Sequence, residues 1–77
     1  MRTEEAFGIV LKKYRNKQSL SQEKLAINCE LDRTYISLLE RGKRNPSLGN
    51  IFKLANELDI KPSQLIVEVE KLVGISD

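Results

Sequence analysis

Arg33, Thr34, Tyr35 and Ser37 stand within one short stretch and form a set suited to reading base-pair edges. The forked guanidinium of Arg33 fits the two acceptors of a guanine, a bidentate contact worth about 1–3 kcal/mol of discrimination. Thr34 brings a hydroxyl and a methyl, the latter suited to thymine. Tyr35 can stack on a groove wall or hydrogen-bond to it. A large half-apolar ring on an exposed face is better explained by a partner surface than by solvent alone. Ser37 lies within one turn and can bond a phosphate or a base. The bland alternative for all four is a solvated helix face.

Groups suited to phosphate flank this set. Gln22 opens the preceding helix, where its amide sits beside backbone N–H groups that have no partner inside the helix. Arg41, Lys43, Arg44 and Asn45 follow in a short basic loop expected to lie over a nucleic-acid backbone. Each phosphate neutralised steepens the salt dependence of duplex binding by about 0.9 in log–log slope. Solubility charges are the competing explanation for Lys43 and Arg44.

Such side chains need an element that carries them into a groove. Between Ser21 and Arg41 the sequence SQEKLAINCELDRTYISLLER reads as two short amphipathic helices with almost no room between them. This is the spacing of a helix-turn-helix, in which the second helix enters the major groove. Leu25, Ala26 and Cys29 face inward from the first helix, Ile36 and Leu39 from the second, and Leu31 plugs the corner. Small Ala26 sits where the second helix must pass closely. Ser21 is placed to cap the first helix by accepting from the Lys24 amide. Asp32 is expected to cap the second, which ends at Gly42 in a left-handed conformation.

Three further helices complete an all-α reading with five helices. Thr3 is expected to cap the first, whose apolar stripe is Phe7, Val10, Leu11 and Tyr14; Lys12, Lys13, Arg15 and Lys17 gather near its C-terminal end. Cations there suit the helix dipole and equally suit phosphate. Ser47 caps a fourth helix over 47–58 with Leu48, Ile51, Leu54, Ala55 and Leu58 inward. Pro62 starts a fifth over 62–73, with Leu65, Ile66, Val69, Leu72 and Val73 inward before Gly74.

At 77 residues the chain is read as one domain, near the lower limit for a self-sufficient core. No apolar run approaches the roughly 18 residues of a membrane span, and acids at Glu4 and Glu5 break any signal-peptide pattern, so a cytoplasmic location is expected. With no histidine and the lone Cys29, neither an intrachain disulfide nor a tetrahedral zinc site is expected. An enzyme is disfavoured, since there is no phosphate-cradling glycine loop and no base beside Cys29. No cofactor, metal or small-molecule ligand is expected. Net charge is only +2, but residues 1–45 carry ten Lys/Arg against six Asp/Glu, whereas residues 46–77 carry three against five. A basic front and an acidic back would orient the molecule on a polyanion.

Taken together, these motifs make the chain resemble the phage-repressor-like helix-turn-helix family of the lambda and Cro type. The resemblance runs through Tyr14-Arg15, Ser21-Gln22-Glu23-Lys24-Leu25-Ala26, Tyr35-Ile36-Ser37, Glu40-Arg41-Gly42-Lys43-Arg44-Asn45-Pro46-Ser47 and Leu54-Ala55. Within that family the run Leu31-Asp32-Arg33-Thr34-Tyr35-Ile36-Ser37, at this length, is similar to the controller proteins of bacterial restriction–modification systems. The resemblance implies that Gln22 contacts phosphate, that Arg33, Thr34, Tyr35 and Ser37 read bases, and that Arg44 and Asn45 touch backbone or groove. It also implies an internal ion pair, Arg15 with Glu40, between the first and third helices. One departure stands out: Glu30 occupies a corner where the family usually has glycine, so a positive φ there would cost on the order of 1 kcal/mol.

One small module rarely buries enough surface for useful specificity, so a homodimer on a two-fold-symmetric DNA operator is expected. Phe52 and Val67 lie off the core stripes and, with Ile60, Ile66 and Val69, are the candidate dimer surface; the alternative is that one of them completes the core. No ligand-sensing domain is expected after the fifth helix, so control would come from protein concentration. By resemblance to the controllers, the chain would bind upstream of its own gene, activating at low occupancy and repressing at high. Activation would involve RNA polymerase, with Glu23 or Glu30 as candidate contacts. Two other readings stay open: an antitoxin or phage-type repressor of the same fold, and a helical protein-interaction adaptor using the Tyr35 face.

Overall fold

The computed structural model describes residues 1–74, which form five helices in the order α1 (Thr3–Lys17), α2 (Gln22–Cys29), α3 (Arg33–Glu40), α4 (Leu48–Glu57) and α5 (Pro62–Val73). The helix α1 packs on α3 and α5, α2 on α3 and α4, and α4 on α5. Their inward stripes meet in one core. Leu11, Leu25, Ile36, Leu39, Leu54, Leu58 and Leu65 are its largest fully buried side chains. Every helix gives the core at least one of these, so none is stable apart from the others.

The helix ends share one device. Ser19, Glu30, Gly42 and Asp59 follow α1 to α4 in turn, each with φ between 57° and 71°. After each, the next amide reaches back to close the last turn: Leu20 to Arg15, Leu31 to Ala26, Lys43 to Leu38 and Ile60 to Ala55. This satisfies carbonyls that would otherwise be orphaned and folds Leu20, Leu31 and Ile60 against the core. Glu30 takes the left-handed conformation that the sequence made costly for a residue with a Cβ, at φ 57° and ψ 42°. Gly42 is better suited at φ 71°, and its lack of a side chain also admits the Glu5 Cα, which a Cβ would meet at 3.1 Å.

Several expected details differ. Thr3 is the first helical residue, not the cap; Arg2 occupies that position, and its backbone N–H donates to the Glu5 carboxylate at 3.1 Å. Asp32 has the extended backbone of a cap, but its side chain makes no capping bond. Ser21 and Ser47 do cap, accepting from the amides of Lys24 (3.0 Å) and Asn50 (3.1 Å). Leu48 is not part of the core: it is 72% exposed in the first turn of α4, and the inward stripe starts at Ile51. On α5, Ile66 and Leu72 are exposed, leaving Leu65 and Val69 as the buried stripe with Val73 half-buried.

Candidate nucleic-acid interface

The helices α2 and α3 are joined by Glu30, Leu31 and Asp32, and the left-handed Glu30 sets the corner. Ile36 and Leu39 anchor α3 from behind with no exposed surface. Its opposite face opens outward: Arg33 and Thr34 are exposed, and Tyr35 and Ser37 are half-buried. Arg41, Lys43, Arg44 and Asn45 are all exposed in the turn and loop that follow α3. Among the described residues, Arg33, Arg41, Lys43 and Arg44 take part in no ion pair. One uncompensated cation at the start of α3 and three just past its end make a surface that favours a polyanion.

Tyr35 is less free than the sequence suggested. The Asn50 side-chain amide donates to its hydroxyl at 3.0 Å, and the Arg44 guanidinium carbon lies 5.6 Å from its ring centroid. A shallow recess beside it is lined by Leu31, Thr34, Leu38, Arg44 and Asn50. Asn50 was missed by sequence reasoning, and no local spacing could have found it, because it reaches Tyr35 from another helix.

Behind this outward face, Glu40 on α3 collects partners from two other helices. Arg15 donates to it through Nε and through Nη2, the latter at 2.9 Å, and Gln22 Nε2 donates to the same carboxylate at 3.0 Å. Arg15 Nη1 also donates to the Leu20 carbonyl at 2.8 Å, tying down the turn between α1 and α2. Arg15 is buried and the Glu40 side chain is 4% exposed. The Glu40 hydrogen bond pushes the Arg15 guanidinium above its ordinary value, so the guanidinium stays charged. Gln22 thus stands at the start of α2 with one amide hydrogen held by Glu40, which leaves the other for an anion at the helix N-terminus.

Cys29 offers no competing chemistry. Its thiol is buried, contacts the Lys53 carbonyl at 3.7 Å, and is pushed up by burial. No cluster able to hold a metal occurs among the described residues, and no helix there is long and apolar enough to cross a membrane.

The surface proposed for self-association divides. Phe52 (56% exposed) and Val67 (39%) stand off the core, as does Ile66. Val69 does not belong to that surface: at 6% exposure it is core within the chain itself. Ile60 is half-buried because the left-handed Asp59 turns it inward.

The comparisons agree with this geometry. Residues 11–65 match the Helix-turn-helix family. The chain is 50% identical over 66 residues to control protein C.MunI of Mycoplasma sp, covering 84% of this chain and 89% of that protein. It is 49% identical over 61 residues to control protein C.BamHI of Bacillus amyloliquefaciens, covering 78% and 75%. The crystal structure of the restriction–modification controller protein C.AhdI from Aeromonas hydrophila superposes with a TM-score of 0.78 at 50% identity, covering 80% of this chain and 94% of that one. The chain belongs to the helix-turn-helix family of DNA-binding transcriptional regulators, alongside the restriction–modification control proteins.

Proposed function

We propose that two copies of the chain bind a two-fold-symmetric operator upstream of their own gene and control a restriction–modification system in the cytoplasm. One observation carries the DNA-reading part. The exposed Arg33 and Thr34 open a helix whose other face is fully buried, so the element is braced from behind and free in front. In this reading Arg33 contacts guanine, Thr34 and Ser37 contact neighbouring base edges, and Tyr35 fills the groove wall. Gln22, Arg41, Lys43, Arg44 and Asn45 hold the flanking phosphates. The relatives named as control proteins support the regulatory setting. Glu23 and Glu30 are exposed near the DNA-facing end and are the candidate RNA polymerase contacts.

Selection of bound duplexes from a random pool tests the reading. A symmetric site should emerge, with half-sites about 34 Å apart and guanine favoured opposite Arg33. Arg33→Ala should lose about 1–3 kcal/mol of preference at that position while keeping its salt-dependent binding to any duplex. Undiminished preference in Arg33→Ala would remove this residue from the readers.

Self-association rests on Phe52, Ile66 and Val67, apolar and exposed on the adjoining helices α4 and α5, with Ile60 at the margin. Val67→Asp should lower the dimer fraction in sedimentation equilibrium while leaving the helical circular-dichroism signal intact, because Val67 lies outside the core. An unchanged dimer would take Val67 out of the interface.

A further inference from the structure

We infer that Asn50 is a positioning residue that fixes the hydrogen-bond polarity of Tyr35, making its hydroxyl a donor towards DNA and so setting part of the sequence preference. The inference rests on the DNA-reading role proposed for α3. Asn50 is itself well held. It lies in the first turn of α4, and its backbone N–H is bound by the Ser47 hydroxyl at 3.1 Å. From there its Nδ2 donates to Tyr35 Oη at 3.0 Å, a direct side-chain tie between α4 and the reading helix. Arg44 lies over the ring, 5.6 Å from its centroid, while Leu31 and Leu38 line the recess beside it. Arg44 and the recess therefore restrict the plane of the ring, and Asn50 restricts the hydroxyl.

A phenolic hydroxyl has one hydrogen to give and lone pairs to accept with. With one lone pair occupied by Asn50, the hydrogen must turn away from that donor, which makes it the stronger group left to point elsewhere. In the major groove it can then be satisfied by guanine N7 or O6, adenine N7 or thymine O4, but not by the amino group of cytosine. A tyrosine without this tie could turn its oxygen to either kind of edge. Asn50 thus acts through Tyr35 without needing to touch a base, and its effect should appear as exclusion of cytosine at the position that Tyr35 faces.

The test compares the unmutated chain, Asn50→Ala, Asn50→Asp, Tyr35→Phe and the Asn50→Ala/Tyr35→Phe pair, by selection from a random duplex pool and competitive titration on the selected site. Asn50→Ala should lose about fivefold in preference at the Tyr35 position. Tyr35→Phe should lose a similar factor there, and the double variant should be no worse than Tyr35→Phe alone. Asn50→Asp accepts the Tyr35 hydrogen, leaving oxygen lone pairs to face the groove, so cytosine should become favoured at that position. Its added negative charge lowers affinity for all duplexes together, so the ratio between sequences is the readout. Retained preference in Asn50→Ala with loss in Tyr35→Phe would overturn the positioning role and leave Tyr35 as a reader. A uniform loss on every duplex in Asn50→Ala, or independent losses that multiply in the double variant, would overturn it as well. Retention in both single variants would remove Tyr35 from the readers and the inference with it. Absence of sequence-selective binding by the unmutated chain would overturn the DNA-reading role itself.

Discussion

Arg15→Met should destabilise the fold by about 3–5 kcal/mol, measured by urea unfolding followed by circular dichroism at 222 nm. The variant keeps the length of the side chain but leaves the Glu40 carboxylate buried with Gln22 as its remaining side-chain donor, and strips the Leu20 carbonyl of its Arg15 donor. Removing one partner of a buried pair costs far more than the pair is worth over an apolar replacement, because the surviving charge stays desolvated. A domain this small has little stability to spare against such a loss. Arg15→Met/Glu40→Leu should therefore be less damaged than the sum of the two single variants by at least about 1 kcal/mol. Strict additivity, or an Arg15→Met loss below about 1 kcal/mol, would mean that this pair does not hold α1 to α3. The functional consequence follows from the same carboxylate: in Glu40→Leu, Gln22 loses the acceptor that holds its side chain at the N-terminus of α2.

What the sequence made legible was mostly what lies on one helix. Amphipathic stripes placed all five helices, and Ser21, Ser47, Pro62 and Gly42 marked real ends because each acts through its own neighbouring backbone. Leu48 and Leu72 show the limit of periodicity. Both have a plausible inward spacing, but exposure depends on where the neighbouring helix ends, which spacing does not encode. The left-handed residues Ser19 and Asp59 escaped notice for a related reason. A glycine announces such a conformation, whereas serine and aspartate adopt it when the next residue has apolar surface to bury. At the site, exposure of Arg33 and Thr34 followed from the burial of Ile36 and Leu39. The ties to Asn50 and from Gln22 to Glu40 did not, because each joins different helices and no local pattern records them. Val69 was assigned both to the core and to the dimer surface; burial within the chain decides for the core.

Gly8→Ala should be among the most damaging single substitutions, for a reason that only the folded chain displays. At Gly8, α1 passes so close to the end of α3 that an added Cβ would lie 2.5 Å from the Leu39 carbonyl oxygen and 2.7 Å from that of Glu40. Both obstacles are backbone, so no side chain can swing aside and the helices must separate. In solvent-exposed helix, alanine in place of glycine favours folding by roughly 1 kcal/mol. Here the sign should reverse, with a net loss on the order of 3 kcal/mol in urea unfolding, the upper range for overpacking a close-fitting interior. Gly49, where an added Cβ meets nothing within 4 Å, supplies the control: Gly49→Ala in the first turn of α4 should be neutral or mildly stabilising. If both variants gain stability, the close passage of α1 over α3 is wrong. If Gly8→Ala alone loses it, the remaining folded protein should also bind its selected operator less tightly than the unmutated chain. The gap forced open at Leu39 and Glu40 lies at the C-terminal end of α3, where a small displacement changes the tilt at which the proposed reader Arg33 is presented.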